Sequence, residues 1–438
     1  MIAFTPRRLA APAVLLSAIC LPVAAFAADD KPLDAANTAW ILTATALVLF
    51  MTLPGLALFY AGLVRARNAL SVVMHCVVIA VLVSLLWLVA GYSLAFTDGG
   101  SAQAWIGSFE RAFMAGVSGE TLKDGLPETV FFMFQMTFAI ITPALIVGAW
   151  PERIRFSAVV LFSALWLFLV YVPVCHWIWG GGWLAALGVI DFAGGLVVHV
   201  TAGMAAIVAA LMVGRRRDFP HEPLLPHSPG MTATGAGMLW VGWYGFNAGS
   251  ALAANGSAGM AMLVTHISAA TGALTWMAIE WLRHGRPSLV GTVTGLVAGL
   301  ATITPAAGVA GPTGAVLVGF CGGIVCFTMT GLLKQRLKLD DSLDVFAVHG
   351  VGGALGILLV AVVGQPGFGG TGFAEGVGAM AQFTAQLLGL GVTALWSGLV
   401  SWGIFAVLKA SGNLRVSEED EFDGLDITTH GERAYDLH

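Results

Sequence analysis

The stretch Asp191–Gly203, DFAGGLVVHVTAG, carries a histidine at the centre of an apolar segment and an aspartate at its start. Asp344–Gly356 reads DVFAVHGVGGALG and repeats the pattern. An ionisable group deep in hydrocarbon costs about 3 kcal/mol or more, so it marks function by default. A single such histidine is best explained as a neutral ring bonded to a backbone carbonyl. Two in matching segments call for a joint explanation.

The surroundings of both stretches are membrane-like. Of 438 residues, 58% are hydrophobic and only 10% are charged, against about 25% charged in soluble domains. The 56 glycines suit closely packed membrane helices. A net charge of −5, with no basic stripe, argues against nucleic-acid binding. Cys76, Cys175, Cys321 and Cys326 lie in apolar runs and read as packing residues rather than metal ligands. Residues 1–27 read as a signal peptide: Arg7 and Arg8, a short apolar core, and AFA before the cleavage point.

A helix needs about 20 apolar residues to cross a bilayer. Eleven segments qualify as candidates: 37–64, 69–96, 128–150, 156–178, 193–213, 230–252, 259–282, 289–304, 312–333, 343–363 and 380–409. Residues 28–409 then form a transmembrane domain and 410–438 a cytoplasmic tail. The exits of the odd-numbered spans hold the basic residues: Arg65 and Arg67, Arg153 and Arg155, Arg215–Arg217, Arg283 and Arg286, Lys334 to Lys338, and Lys409 onward. Even-numbered exits hold only Arg111 and Lys123. Basic loops stay in the cytoplasm, so the N-terminus is expected outside and the C-terminus inside.

His199 falls in span five and His349 in span ten, giving two halves of five spans and a C-terminal helix. An odd number of crossings inverts the second half. Inverted repeats place their site at the repeat interface near the midplane. His199 is about 12 Å along a helix from Asp191, and His349 about 7–8 Å from Asp344. The two rings approach the midplane from opposite sides. The expected fold is thus an all-α polytopic membrane protein of two inverted five-helix repeats plus an eleventh helix.

The deep spans hold almost no other carboxylate: Glu128, Glu152 and Glu280 fall at span ends. Neutral imidazoles between apolar walls suit a small polar solute better than a coupled proton pump. Asp191 reads mainly as a cap at the start of span five. His75, His176 and His266 have no partner segment and read as structural. Phe131, Phe134 and Phe138 share a helix face, as do Trp243, Phe246 and Ser250, and Trp179 precedes three glycines. Any one stripe alone is packing. Together with an outer tryptophan and a hydroxyl they can form a cation–π site, worth about 0.5–2 kcal/mol.

VPVCHWIWGGGWL, DFAGGLVVH, WYGFNAGSA, PERIRFSA, DVFAVHG and the tail GLDITTHGERAY resemble the ammonium transporter family (Amt/MEP/Rh) in its own order, across nearly all of the chain after residue 27. The outer Trp179 and Ser250 resemble the bacterial Amt branch. The resemblance implies an outer ammonium site of Trp179, Phe138 and Ser250, with Asp191 supporting it. It implies a gate of Phe138 and Phe246, with Phe134 beside it. His199 and His349 would line the pore as a hydrogen-bonded pair, with Trp243 deeper in and Thr304 near the vestibule. It further implies a homotrimer in the bacterial inner membrane, docking of a PII-type signalling protein, and no cofactor or enzymatic activity. Two other classes remain: an ammonium sensor acting through such a partner, and a haem-binding redox protein. No HExxH or GxSxG motif suggests a hydrolase.

Overall fold

The computed structural model describes residues 31–222 and 224–435; the expected signal peptide lies outside them. Among the described residues, ten helices are long and apolar enough to cross a membrane. They are α1 (Ala35–Leu63), α2 (Ala66–Phe96), α3 (Glu128–Ala149), α4 (Phe156–Ala186, broken at 180–182) and α5 (Gly195–Val213), then α7 (Gly256–His284), α8 (Leu289–Ala306), α9 (Pro312–Arg336), α10 (Phe346–Val363) and α11 (Ala379–Ala410). Where the sixth span was expected, α6 (Pro229–Gly249) runs for 21 residues. That is about 31 Å, long enough to span, yet its glycines and threonines keep it below the apolarity of the other ten. The only sheet among the described residues is a hairpin of β1 (Leu122–Lys123) and β2 (Leu126–Pro127) in the loop between α2 and α3.

The helix contacts repeat between the two halves. α1 packs on α3 as α6 packs on α8, and α2 packs on α3 and α4 as α7 packs on α8 and α9. α3 meets α5 as α8 meets α10. Across the halves α1 pairs with α6, and α5 with α10. Between α5 and α10 the approach depends on glycine. A Cβ on Gly203, four residues after His199, would overlap the Gly350 backbone. A Cβ on Gly353, four residues after His349, would sit 2.7 Å from the His199 Cβ. Both distances are below any real contact, so each glycine lets the opposite histidine-bearing segment in.

α11 lies across α4, α5 and α10. At the end of the molecule that carries the tail, Arg153 is fully buried. It donates to the carbonyls of Ala149, Pro151, Gly214 and Asp340 and to the Ser342 hydroxyl, while Arg216 pairs with Asp340 at 2.8 Å. These bonds tie the loop after α5 to the segment before α10. The short tail helices α12 (Glu418–Asp423) and α13 (Leu425–His430) dock on the same end. The Asp426 carboxylate accepts from the Leu70 and Ser71 N–H groups, near the start of α2.

Candidate functional site

The site begins with how α5 starts. Four N–H groups at a helix start have no intrahelical partner. Here Asp191 takes all four. One carboxylate oxygen accepts from Gly194 and Gly195 and the other from Leu196 and Val197, at 2.5–3.0 Å. A carboxylate has about four acceptor positions, so none is left for a ligand. Asp191 is therefore a cap that acts on a nearby cation only through its charge. Gly194, at φ 114, makes the turn that brings these groups around. The Asp191 carbonyl accepts from the Trp179 indole at 2.8 Å, so one residue fixes both the helix start and the tryptophan.

From Trp179 inward the rings follow one another. Phe138 stands edge-on to Trp179, centroids 5.7 Å apart, and stacks on Phe246 at 4.3 Å and 28°. Phe134 packs edge-on behind Phe138. Trp179 is only partly buried, whereas Phe138 and Phe246 are closed off from solvent. Ser250, one turn after Phe246, donates its hydroxyl to the Phe246 carbonyl at 2.8 Å. Its oxygen lone pairs stay free to accept.

Beneath the stacked pair lies a narrow cavity of about 10 Å³, lined by Ile141, Leu145, Val198, His199, Trp243, Phe246, Val297 and His349, among others. The histidine Nδ1 atoms are 3.3 Å apart. One must donate and the other accept. The His199 Nε2 is buried without a partner. His199 also stacks on Trp243, centroids 5.5 Å apart. The Trp243 indole is held by the Thr304 hydroxyl at 2.9 Å. Thr304 is thus a deep residue behind Trp243, not a vestibule residue; its place at the end of α8 in sequence hid how far that helix end reaches inward.

The pairing of Asp191 with Asp344 requires correction. Asp341 stands eight residues before His349, as Asp191 stands eight before His199. Asp341 is buried and caps α10, accepting from Val345 at 3.1 Å and Phe346 at 2.7 Å. Asp344 has φ +62 and pairs with Lys334 at 2.7 Å instead. Counting back eight residues would have found Asp341; the visual likeness of the two stretches pointed elsewhere. Burial, then the neighbouring Asp344 charge, push the Asp341 carboxyl up to about 7.

The other histidines are apart from this line. His176 contacts the Ala95 and Gln103 carbonyls, His75 stacks on Phe156, and His266 bonds Tyr244 on the molecular surface. Phe131 turns toward Tyr92 and Phe96 rather than toward Phe138. Among the described residues no group of three or more His, Cys, Asp or Glu is placed to hold a metal.

Residues 39–435 match the family model described as Ammonium Transporter Family. An ammonium transporter of Aquifex aeolicus is 46% identical over 94% of this chain and 96% of its own. One from Bacillus subtilis is 42% identical over 89% and 96%. Among solved structures, a sensor Amt protein superposes with a TM-score of 0.83 at 31% identity, covering 90% of this chain and 98% of that one. Mep2 of Candida albicans gives 0.81 at 36%, covering 89% and 88%. A buried histidine pair under a closed aromatic stack, in a multi-pass helical membrane fold of this similarity, leaves one assignment: the chain belongs to the ammonium transporter family.

Proposed function

We propose that the chain moves ammonium across the membrane by binding the cation at Trp179, Phe138 and Ser250, removing its proton near Phe138 and Phe246, and passing ammonia along His199 and His349. The observation that carries this reading is the unpartnered Nε2 of His199, a residue that lines a narrow, mostly apolar cavity together with His349. A bare cation is strongly disfavoured there, while a small neutral donor–acceptor molecule is accommodated. Ring faces and the Ser250 oxygen suit a cation that can shed its water and offer N–H groups. Potassium, similar in size, has no proton to give up and is refused at the next step. Ammonium loses its proton about two pH units above neutrality, so deprotonation at pH 7 costs about 3 kcal/mol, small enough for rapid conduction.

The surrounding assignments belong to the same proposal. α6 crosses the membrane as the eleventh span. The basic loops place the tail end in the cytoplasm and the Trp179 end outside, in a bacterial inner membrane, after removal of the leader. The chain works as a transporter rather than an enzyme. The Tyr244–His266 pair on the outward surface of α6 and α7 is polar where lipid would be poor company, which supports a homotrimer. The tail docked on α2 offers a PII-type protein a surface at the pore's inner end. A second reading, that of an ammonium sensor, is favoured by the similarity to a structure named as a sensor Amt protein.

Ammonium-evoked current and ammonia flux in proteoliposomes test these together, wild type beside the His199→Ala, His349→Ala double variant. Current that the double variant loses, or turns into potassium current, supports proton loss and relay at the pair. Flux without current indicates a neutral ammonia channel. Equal transport and selectivity in both proteins sinks the mechanism, and binding with neither flux nor current favours the sensor.

A further inference from the structure

The loop between α2 and α3 carries aromatics that the transport mechanism does not use. Trp105, Phe109 and Phe113 are 58%, 66% and 67% exposed. The loop is not loose. Gly107 donates to the Leu94 carbonyl, Arg111 to the Ser93 hydroxyl, and the Trp177 indole to the Trp105 carbonyl. Residues 112–114 lie against 87–91 of α2, well before that helix ends at Phe96. The loop therefore folds back along the helix by about 7–13 Å. Phe113 and Met114 are both held at positive φ, 54° and 58°. Bulky residues seldom adopt this conformation, and it persists only where the surroundings enforce it.

The faces beside the loop are exposed and apolar. α2 exposes Val77, Val81, Leu85 and Val89 in a helical row, and the turn that carries Phe113 lies against residues 87–91, at the end of that row. Trp105 packs on Trp177, which packs on the partly exposed Trp396 of α11. Exposed aromatics continuous with a lipid-facing surface are at home at the headgroup–acyl boundary.

We propose that residues 105–113 form an anchoring lip seated in the phospholipid leaflet at the Trp179 end, with Phe109 and Phe113 reaching its acyl boundary. The occupant of this face is lipid, not water and not a second copy of the chain. Only the name of the leaflet rests on the orientation proposed above.

The test is spin labelling in functional proteoliposomes. Phe113→Cys and Phe109→Cys are labelled separately in a Cys321→Ser background, with Val81→Cys as the lipid control and Glu120→Cys as the water control. Collision rates are measured with oxygen and with a water-soluble nickel chelate. The expected result is an oxygen-to-nickel ratio at both phenylalanine positions within about twofold of Val81 and several-fold above Glu120. Ratios matching Glu120 overturn the proposal in favour of a solvated loop. Immobile labels shielded from both reagents overturn it in favour of a protein contact. Retained ammonium flux in each labelled variant shows that the fold is intact, so failure of the lip and failure of the transport reading remain distinguishable.

Discussion

The two histidine-bearing segments are related by the repeat, but their caps differ. Asp191 satisfies four N–H groups with a saturated carboxylate. Asp341, at the matching position, satisfies two, and has the Asp344 carboxylate as a neighbour. The aromatic rings are also one-sided: Trp179, Phe138 and Phe246 follow one another on the Asp191 side of the pair. Repeat symmetry sets where the histidines meet. The departures from symmetry set which end carries the aromatic rings of the proposed cation site.

The largest effect is expected from removing the fuller cap. Asp191→Ala keeps the main-chain carbonyl that holds Trp179 but leaves four buried N–H groups unpaired, so it should cost at least about 3 kcal/mol and nearly abolish ammonium transport. Asp341→Ala should cost about 1–2 kcal/mol. Thermal unfolding in detergent, alongside ammonium uptake, compares them, and equal losses would break the asymmetry. Next come the glycines. Gly203→Ala strikes the backbone of Gly350 and Gly353→Ala strikes the His199 side chain. Each should cost about 1–3 kcal/mol by overpacking, with Gly203→Ala the worse, and both should widen the 3.3 Å histidine contact. A structure of either variant with that contact unchanged would refute the role.

Thr304→Val should leave the Trp243 indole unpaired, at about 1–3 kcal/mol, and alter the ratio of methylammonium to ammonium transport; Thr304→Ser should restore it. A further effect is one of pH. The Asp341 carboxyl is raised from its ordinary value to about 7 in the fold. Its protonated form is the one the fold favours, so its contribution to stability is present below about pH 4 and lost as pH rises to about 7. Asp341→Asn should remove that slope, and melting temperatures of the two proteins across pH 4.5–8 should converge at the acid end relative to the neutral end. Parallel curves would show that Asp341 does not titrate in this range.

Much of the fold was legible because hydrocarbon enforces it. Long apolar runs and alternating basic exits marked the helices, and histidines in two such runs marked the centre. The stacking of Phe138 on Phe246 was open to reading only through family resemblance, since helix stripes do not say what they face. Asp341 and Thr304 were misread or overlooked for a related reason. Their roles depend on where a helix end lies in depth, and local spacing carries no such information. Asp344 drew the eye because it stands nearer His349, yet its backbone turns left-handed and its carboxylate goes to Lys334.

The weak apolarity of α6 has a consequence for how the chain is made. Gly235, Gly242, Gly245 and Gly249 press this helix onto α1 so closely that added Cβ atoms would meet the α1 backbone or the Ala44, Leu47 and Met51 side chains. A segment that partitions poorly on its own gains its place from the groove it fills. Synthesis therefore imposes an order. With α6 as the proposed eleventh span, the first helix has one face unfilled until the opening helix of the second half emerges, and insertion and folding become a single event for that pair.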